Sequence, residues 1–188
     1  MAGISNLSGG FSDSIRWTAS NDITGQQPLT QGDQIGTNYN FGTNLENDES
    51  GGADEVVSFL QAIAPSGTAT INLKSILNIL QQAGVALARL KGYKIRLLAA
   101  SGNGAVDTTN GTACSSITVG GAGSDPNLLE MEDVSDKYRI KSGGTHQHFD
   151  PSAGGFVEVT NTTKNILITN NDASVAAAVQ LSLVGCTT

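Results

Sequence analysis

The sequence predicts an all-β protein: a β-sandwich or jelly-roll body with one short helix, preceded by an extended N-terminal arm. Three observations predict it. Apolar runs of strand length recur roughly every 8–12 residues with turn chemistry between them, which is the spacing of sandwiches and barrels. The 188 residues include 23 Gly but only 5 Phe, 3 Tyr and 1 Trp, and abundant Gly and Asn supply the φ > 0 conformations that tight turns require. Strands do not alternate with helices, which argues against a doubly wound sheet.

Two regions divide the chain, an arm over 1–53 and a sandwich domain over 54–188. In the arm, "GGFSDSIRWTASNDITGQQPLTQGDQIGTNYNFGTNLENDESGG" scatters its apolar residues singly among Gly, Asn, Gln and Thr. A strand is expected around Ile15–Ala19, carrying Trp17. Such a segment cannot bury enough apolar area to offset its own ordering entropy. It must lie along the body, lie along a neighbouring subunit, or have no fixed seat.

In the body, "EVVSFLQAIAPSGTATINL" gives strands at 55–63 and 68–73 around a turn set by Pro65, Ser66 and Gly67. "SILNILQQAG" spaces Ile76, Leu77, Ile79 and Leu80 as a short helix, with Ser75 as N-cap and Gly84 as C-terminal stop. The stretch "ARLKGYKIRLL" is the most informative strand. Its charges sit at odd positions before Gly92 (Arg89, Lys91) and at even positions after it (Lys94, Arg96). A side-chain period of two cannot change parity without an extra residue, so a β-bulge is expected at Gly92-Tyr93. The strand would then be long and bent, with a basic outer face and an aliphatic inner one. After the loop "SGNGAVDTTNGTA", strands are expected at about 115–120, 128–133, 137–141, 145–149, 156–160, 165–169 and 175–184. In the last of these, Val175, Val179, Leu181 and Leu183 share one face.

Net charge is −7, from 17 acidic and 10 basic residues. Phosphate backbones demand clustered Lys and Arg, so an acidic chain argues against a nucleic-acid partner. The basic residues nevertheless group as Lys74, Arg89, Lys91, Lys94 and Arg96, and again as Lys137, Arg139 and Lys141. The acidic group is Glu46, Asp48, Glu49, Asp54 and Glu55. These groups are either solvated faces or complementary patches between subunits. Cys114 and Cys186 are too few for a disulfide framework and are expected to be free or buried thiols. "MAGISNLSGGFSDS" lacks the basic and apolar regions of a secretory leader, and no run approaches the ~20 apolar residues of a membrane span.

The one constellation with the look of chemistry is "THQHFD". His146, His148 and Asp150 alternate along a strand, about 7 Å from one to the next. A metal site of the double-stranded β-helix type uses such a pair, but it needs a further carboxylate and a third histidine. The chain holds 2 His in all, and the next glutamate is Glu158. Between Gly143-Gly144 and Pro151, the pair fits a strand edge running into a turn. No serine stands in a G-x-S-x-G elbow, no Gly-rich stretch precedes a Lys and a helix, and "LENDESGGADE" lacks the ligand spacing of an EF-hand. "NGT" (110–112) and "NTT" (161–163) match glycan acceptors without further support. The expectation is a protein that is not an enzyme, with no metal site and no cofactor.

Several segments carry a family resemblance: "TINLKSIL", "ARLKGYKIRLLAA", "KYRIKSGGTHQHFDPSAGGF" and the closing "VTNTTKNILITNNDASVAAAVQLSLVG", read as a hairpin. From about Glu55 onward the sequence resembles structural proteins of tailed bacteriophages. The arm has no counterpart in that likeness. The resemblance implies a virion component of sandwich or jelly-roll type, commonly multimeric, made in the host cytoplasm and resident in the particle. It leads to the expectation of a capsid decoration (cement) protein that binds the major capsid protein or other virion subunits. A homo-oligomer is expected, a trimer favoured, with no membrane contact. Two rivals remain. One is a carbohydrate-binding sandwich module on a tail or fibre. The other is a metal-dependent β-barrel enzyme built on His146 and His148.

Overall fold

A computed structural model describes the backbone of residues 6–11 and 15–20, and residues 55–76, 84–102, 104–107, 109–122, 125, 129, 131–149 and 157–187 in full. In the arm, β1 (Asn6–Phe11) pairs antiparallel with β2 (Ile15–Ser20), so the single strand expected around Trp17 is one half of a hairpin.

The body is a sandwich of two antiparallel sheets. One has the order β3 (Glu55–Ile63), β11 (Ala177–Cys186), β5 (Arg89–Leu98) and β8 (Thr145–Phe149), with the two-residue β9 (Val157–Glu158) also on β5. The other has the order β4 (Thr68–Asn72), β10 (Asn165–Asn170), β6 (Ser116–Gly120) and β7 (Lys137–Lys141). Alternation explains the packing. Val179, Leu181 and Leu183 of β11 stand opposite Leu97, Ile95 and Tyr93 of β5 and point into one core. Ile71, Ile117, Val119, Ile140, Ile166 and Ile168 meet them from the facing sheet. Fully burying one such side chain stabilises the fold by about 1.5–3 kcal/mol.

The bulge lies one residue from the expected place. Val184 pairs with Gly92 and Gly185 with Leu90, so Lys91 is the extra residue that restores the parity. The solvated basic face is not found. Lys91 is 1% exposed and Lys94 8%, and the same outer face holds Val56 at 2% and Val184 at 4%. β5 is an interior strand, between β11 and β8, and the outside of this sheet is covered around Lys91, Lys94, Val56 and Val184, while Leu60 on the same face is exposed. Buried ammonium groups persist only when paired, and neither lysine is without a partner.

Three further expectations change. Of the strand expected at 128–133, the described residues 129 and 131–133 lie in no strand: Leu129 and Met131 are buried, and 131–136 is irregular. The apolar residues there serve as core contacts for a loop. The strand at 156–160 shrinks to Val157–Glu158. Finally, β10 and β11 are not a hairpin, because they belong to different sheets. The helix expected from Ser75 to Gly84 falls on residues outside those described except near its ends, where Ile76 and Val85 form an isolated antiparallel bridge.

Candidate functional site

The histidine pair sits on β8, the strand that flanks β5 at one side of the five-stranded sheet. A tight turn brings the chain there from β7: Gly143 takes φ 72°, and the Gly144 N–H donates to the Lys141 carbonyl at 2.8 Å. The turn therefore carries the chain from one sheet to the other. Register then decides where the imidazoles go. His146 is opposite Ile95 and His148 opposite Tyr93, so both share the inner face of the sheet.

The His146 ring lies between two tyrosines, one from each sheet. Its centroid is 5.6 Å from that of Tyr93 with the planes 8° apart, and 4.1 Å from that of Tyr138 with the planes 30° apart. Tyr138 is held in turn by its hydroxyl, which donates to the Leu129 carbonyl at 3.1 Å. Offset aromatic stacking of this kind adds about 0.5–1.5 kcal/mol beyond area burial. The three rings close one flank of the sandwich, so His146 serves as packing between sheets. The partners are legible in part: Tyr93 falls on the aliphatic parity of β5, and Tyr138 alternates with Lys137 and Arg139. Which sheet each strand joins is not written in that alternation.

Asp150, the third candidate ligand, lies outside the described residues. So does the acidic stretch from Glu46 to Asp54. Among the described residues no group of three His, Cys, Asp or Glu is placed to hold a metal ion. No helix among them is long and apolar enough to cross a membrane.

Burial, and secondarily the charge of His148, push the His146 pKa below its ordinary value. The sign of the consequence follows. The folded state binds the proton less readily than the unfolded chain, so the His146 contribution to stability is present above about pH 6.5 and declines as pH falls below it. Thermal melts should show a lower transition temperature at pH 5 than at pH 7, and His146→Phe, which keeps a ring in the stack, should reduce that difference. An identical pH slope in the variant would remove His146 as its source.

A second polar cluster joins the ends of the strands. Buried Asn170 donates through Nδ2 to the carbonyls of Ile63 (3.3 Å), Ala64 (3.1 Å) and Val175 (2.8 Å). Its Oδ1 accepts from the Asp172 N–H at 2.9 Å and the Cys114 thiol at 3.1 Å. Asp172 accepts backbone N–H bonds from Ser174, Ser115 and Val175, which hold its carboxyl far below the usual carboxylate range. The Ser66 N–H donates to the Asp172 carbonyl, tying the β3–β4 turn to the β10–β11 connection. Cys114 and Cys186 are both free thiols. Burial pushes the Cys114 thiol up, so it is a poor nucleophile. Every polar atom of this cluster is engaged in holding backbone.

On the flank opposite the tyrosines, a cleft of about 350 Å³ opens between β3 and β4, lined by Phe59, Gln61, Thr70, Ile71 and Asn72 among others. These side chains are apolar, hydroxyl or amide, and none is an acid or base near neutrality.

No family model matches the chain, and no curated protein matches it. Among solved structures it is similar to a crystal structure of PirA, with 10% identity, a TM-score of 0.34, and coverage of 68% of this chain and 92% of that one. At that score the likeness carries no argument.

Proposed function

We propose that the protein is a virion structural component: a capsid decoration protein that binds the major capsid protein and stabilises neighbouring subunits, acting as a homo-oligomer. The observation that supports the reading is the placement of His146. The chain's one histidine pair faces the inside of a sandwich, and the ring of His146 is stacked between Tyr93 and Tyr138. The Asn170–Asp172 cluster is likewise given over to holding turns. A body of this kind acts by repeated surface complementarity, which needs rigidity and managed strand edges rather than converging titratable groups. The carbohydrate-binding alternative asks for exposed aromatics, whereas Tyr93 is 1% exposed and Tyr138 is half-buried in the stack.

The arm is the element to test, because an acidic, Gly- and Asn-rich segment that cannot fold by itself would gain its order from the surface it crosses. Deleting residues 1–53 is expected to abolish co-sedimentation with purified particles and to leave the far-UV spectrum of the body that of a β protein. Undiminished particle binding by the deleted form would sink the proposal.

A further inference from the structure

We infer that the acidic stretch at 46–54 lies across the outer face of the five-stranded sheet and supplies the countercharges of Lys91 and Lys94. This goes beyond the decoration reading and does not depend on it.

The burial of that face is graded along the strands. Register sets Val56, Val184, Gly92 and Phe149 in one row across β3, β11, β5 and β8, and Ser58, Ser182, Lys94 and Gln147 in the next. Val56 and Val184 are buried in the first row, Ser182 and Lys94 in the second. Lys91, the extra residue of the bulge, is buried beside the first row. The Gln147 Oε1 is buried as well, so the covered band reaches the strand farthest from β3. One row further on, Leu60 is 57% exposed and Thr145 is open to solvent. The band therefore crosses the sheet at one end only, the end at which β3 begins.

Two ammonium groups in that band need countercharge, because an unpaired buried charge is prohibitively costly, and neither lysine is without a partner. The sheet around them has none to offer: Val56, Ser58, Ser182, Val184, Gln147 and Phe149 include no acid. Glu158 of β9 stands opposite Arg89 and is exposed. The chain that leads into β3, by contrast, carries Glu46, Asp48, Glu49 and Asp54. It also arrives at the right place. Glu55 stands opposite Gly185, which stands opposite Leu90, so β3 begins two strand spacings, about 10 Å, from the bulge. An extended stretch of that length reaches about 30 Å, and four strands span about 14 Å. The stretch at 150–156 leaves the same end of the sheet after Phe149, but it carries one acid, Asp150, for two lysines.

The test follows acetylation of each lysine in the full-length chain by mass spectrometry. Lys91 and Lys94 are expected to react about tenfold or more slower than exposed Lys137 and Lys141. In the chain carrying Glu46→Gln, Asp48→Asn, Glu49→Gln and Asp54→Asn, both rates should rise about tenfold or more. The buried Cys114 thiol should stay closed to thiol reagents, the sign that the sandwich is intact. Asp150→Asn should leave both lysines protected. A thermodynamic cycle decides the case even if the neutralised chain unfolds. Neutralising the four acids should cost about half as much melting temperature or less in a Lys91→Met/Lys94→Met background, where no buried charge is left stranded. Unchanged protection in the neutralised chain, protection lost through Asp150→Asn, or an equal cost in both backgrounds would each overturn the inference.

Discussion

Asn170→Ala is expected to lower the free energy of unfolding by about 3 kcal/mol or more, with the dependence on denaturant unchanged. The side chain is 1% exposed and supplies the donors for three carbonyls: Ile63, Ala64 and Val175. It also supplies the acceptor for the Asp172 N–H and the Cys114 thiol. Truncation leaves several buried polar groups without partners at once, each costing about 1–3 kcal/mol, and removes the side-chain part of the link between the β3–β4 turn and the β10–β11 connection. Asn170→Asp is expected to be no better, since it keeps the acceptor but turns a charge toward three carbonyl oxygens. Urea titration followed by far-UV dichroism measures both. A loss below about 1 kcal/mol for the alanine variant would mean that the cluster is incidental to the fold.

Gly185→Ala comes next, with an expected cost of about 2–3 kcal/mol. A Cβ at this position would overlap the Arg89 carbonyl oxygen and stand 3.2 Å from each methyl of Leu87. The oxygen belongs to the backbone of the neighbouring strand and cannot rotate aside. The place is the bulge itself, where Gly185 pairs with Leu90 and Lys91 is extra. To admit the methyl group, β5 and β11 must separate where the sheet bends. Gly102→Ala is the control, since nothing lies within 4 Å of its Cβ, and a surface change of that kind stays within about 0.5 kcal/mol. Equal stability of the two variants would remove the close approach as a constraint.

What the sequence reveals about this protein is strand-by-strand detail, and what it hides is which surfaces meet. The parity change between Arg89/Lys91 and Lys94/Arg96 places the bulge to within one residue, because the period of a strand is a local property. The same reasoning puts those lysines on an outer face, either solvated or a patch for another subunit, and the solvated reading fails. Alternation says which side of a sheet a residue faces, not whether that side is covered, and Lys91 and Lys94 are buried. The run at 128–133 shows a similar limit. Leu129 and Met131 are apolar because they fill the core, and the Leu129 carbonyl receives Tyr138 from a strand rather than pairing in one. The closing segment reads as a hairpin, but the residues that join β10 to β11 do not specify which sheet takes the strand that follows. The candidate site divides the same way. The His146–His148 alternation and its place beside a turn are legible, whereas the seat of His146 between Tyr93 and Tyr138 depends on both sheets being assembled.

The position of β11 governs how the chain can be made. It follows both β3 and β5 in chain order, yet it lies between them and contributes Val179, Leu181 and Leu183 to the core. On the ribosome, β3 and β5 emerge well before the strand that must be inserted between them, so the ladder groups that face it wait for a partner until Ala177–Cys186 has been made. Closure of the core is therefore a late event that depends on residues far apart in the chain, the kind of pairing that folds slowly and leaves nascent polypeptide exposed to wrong partners.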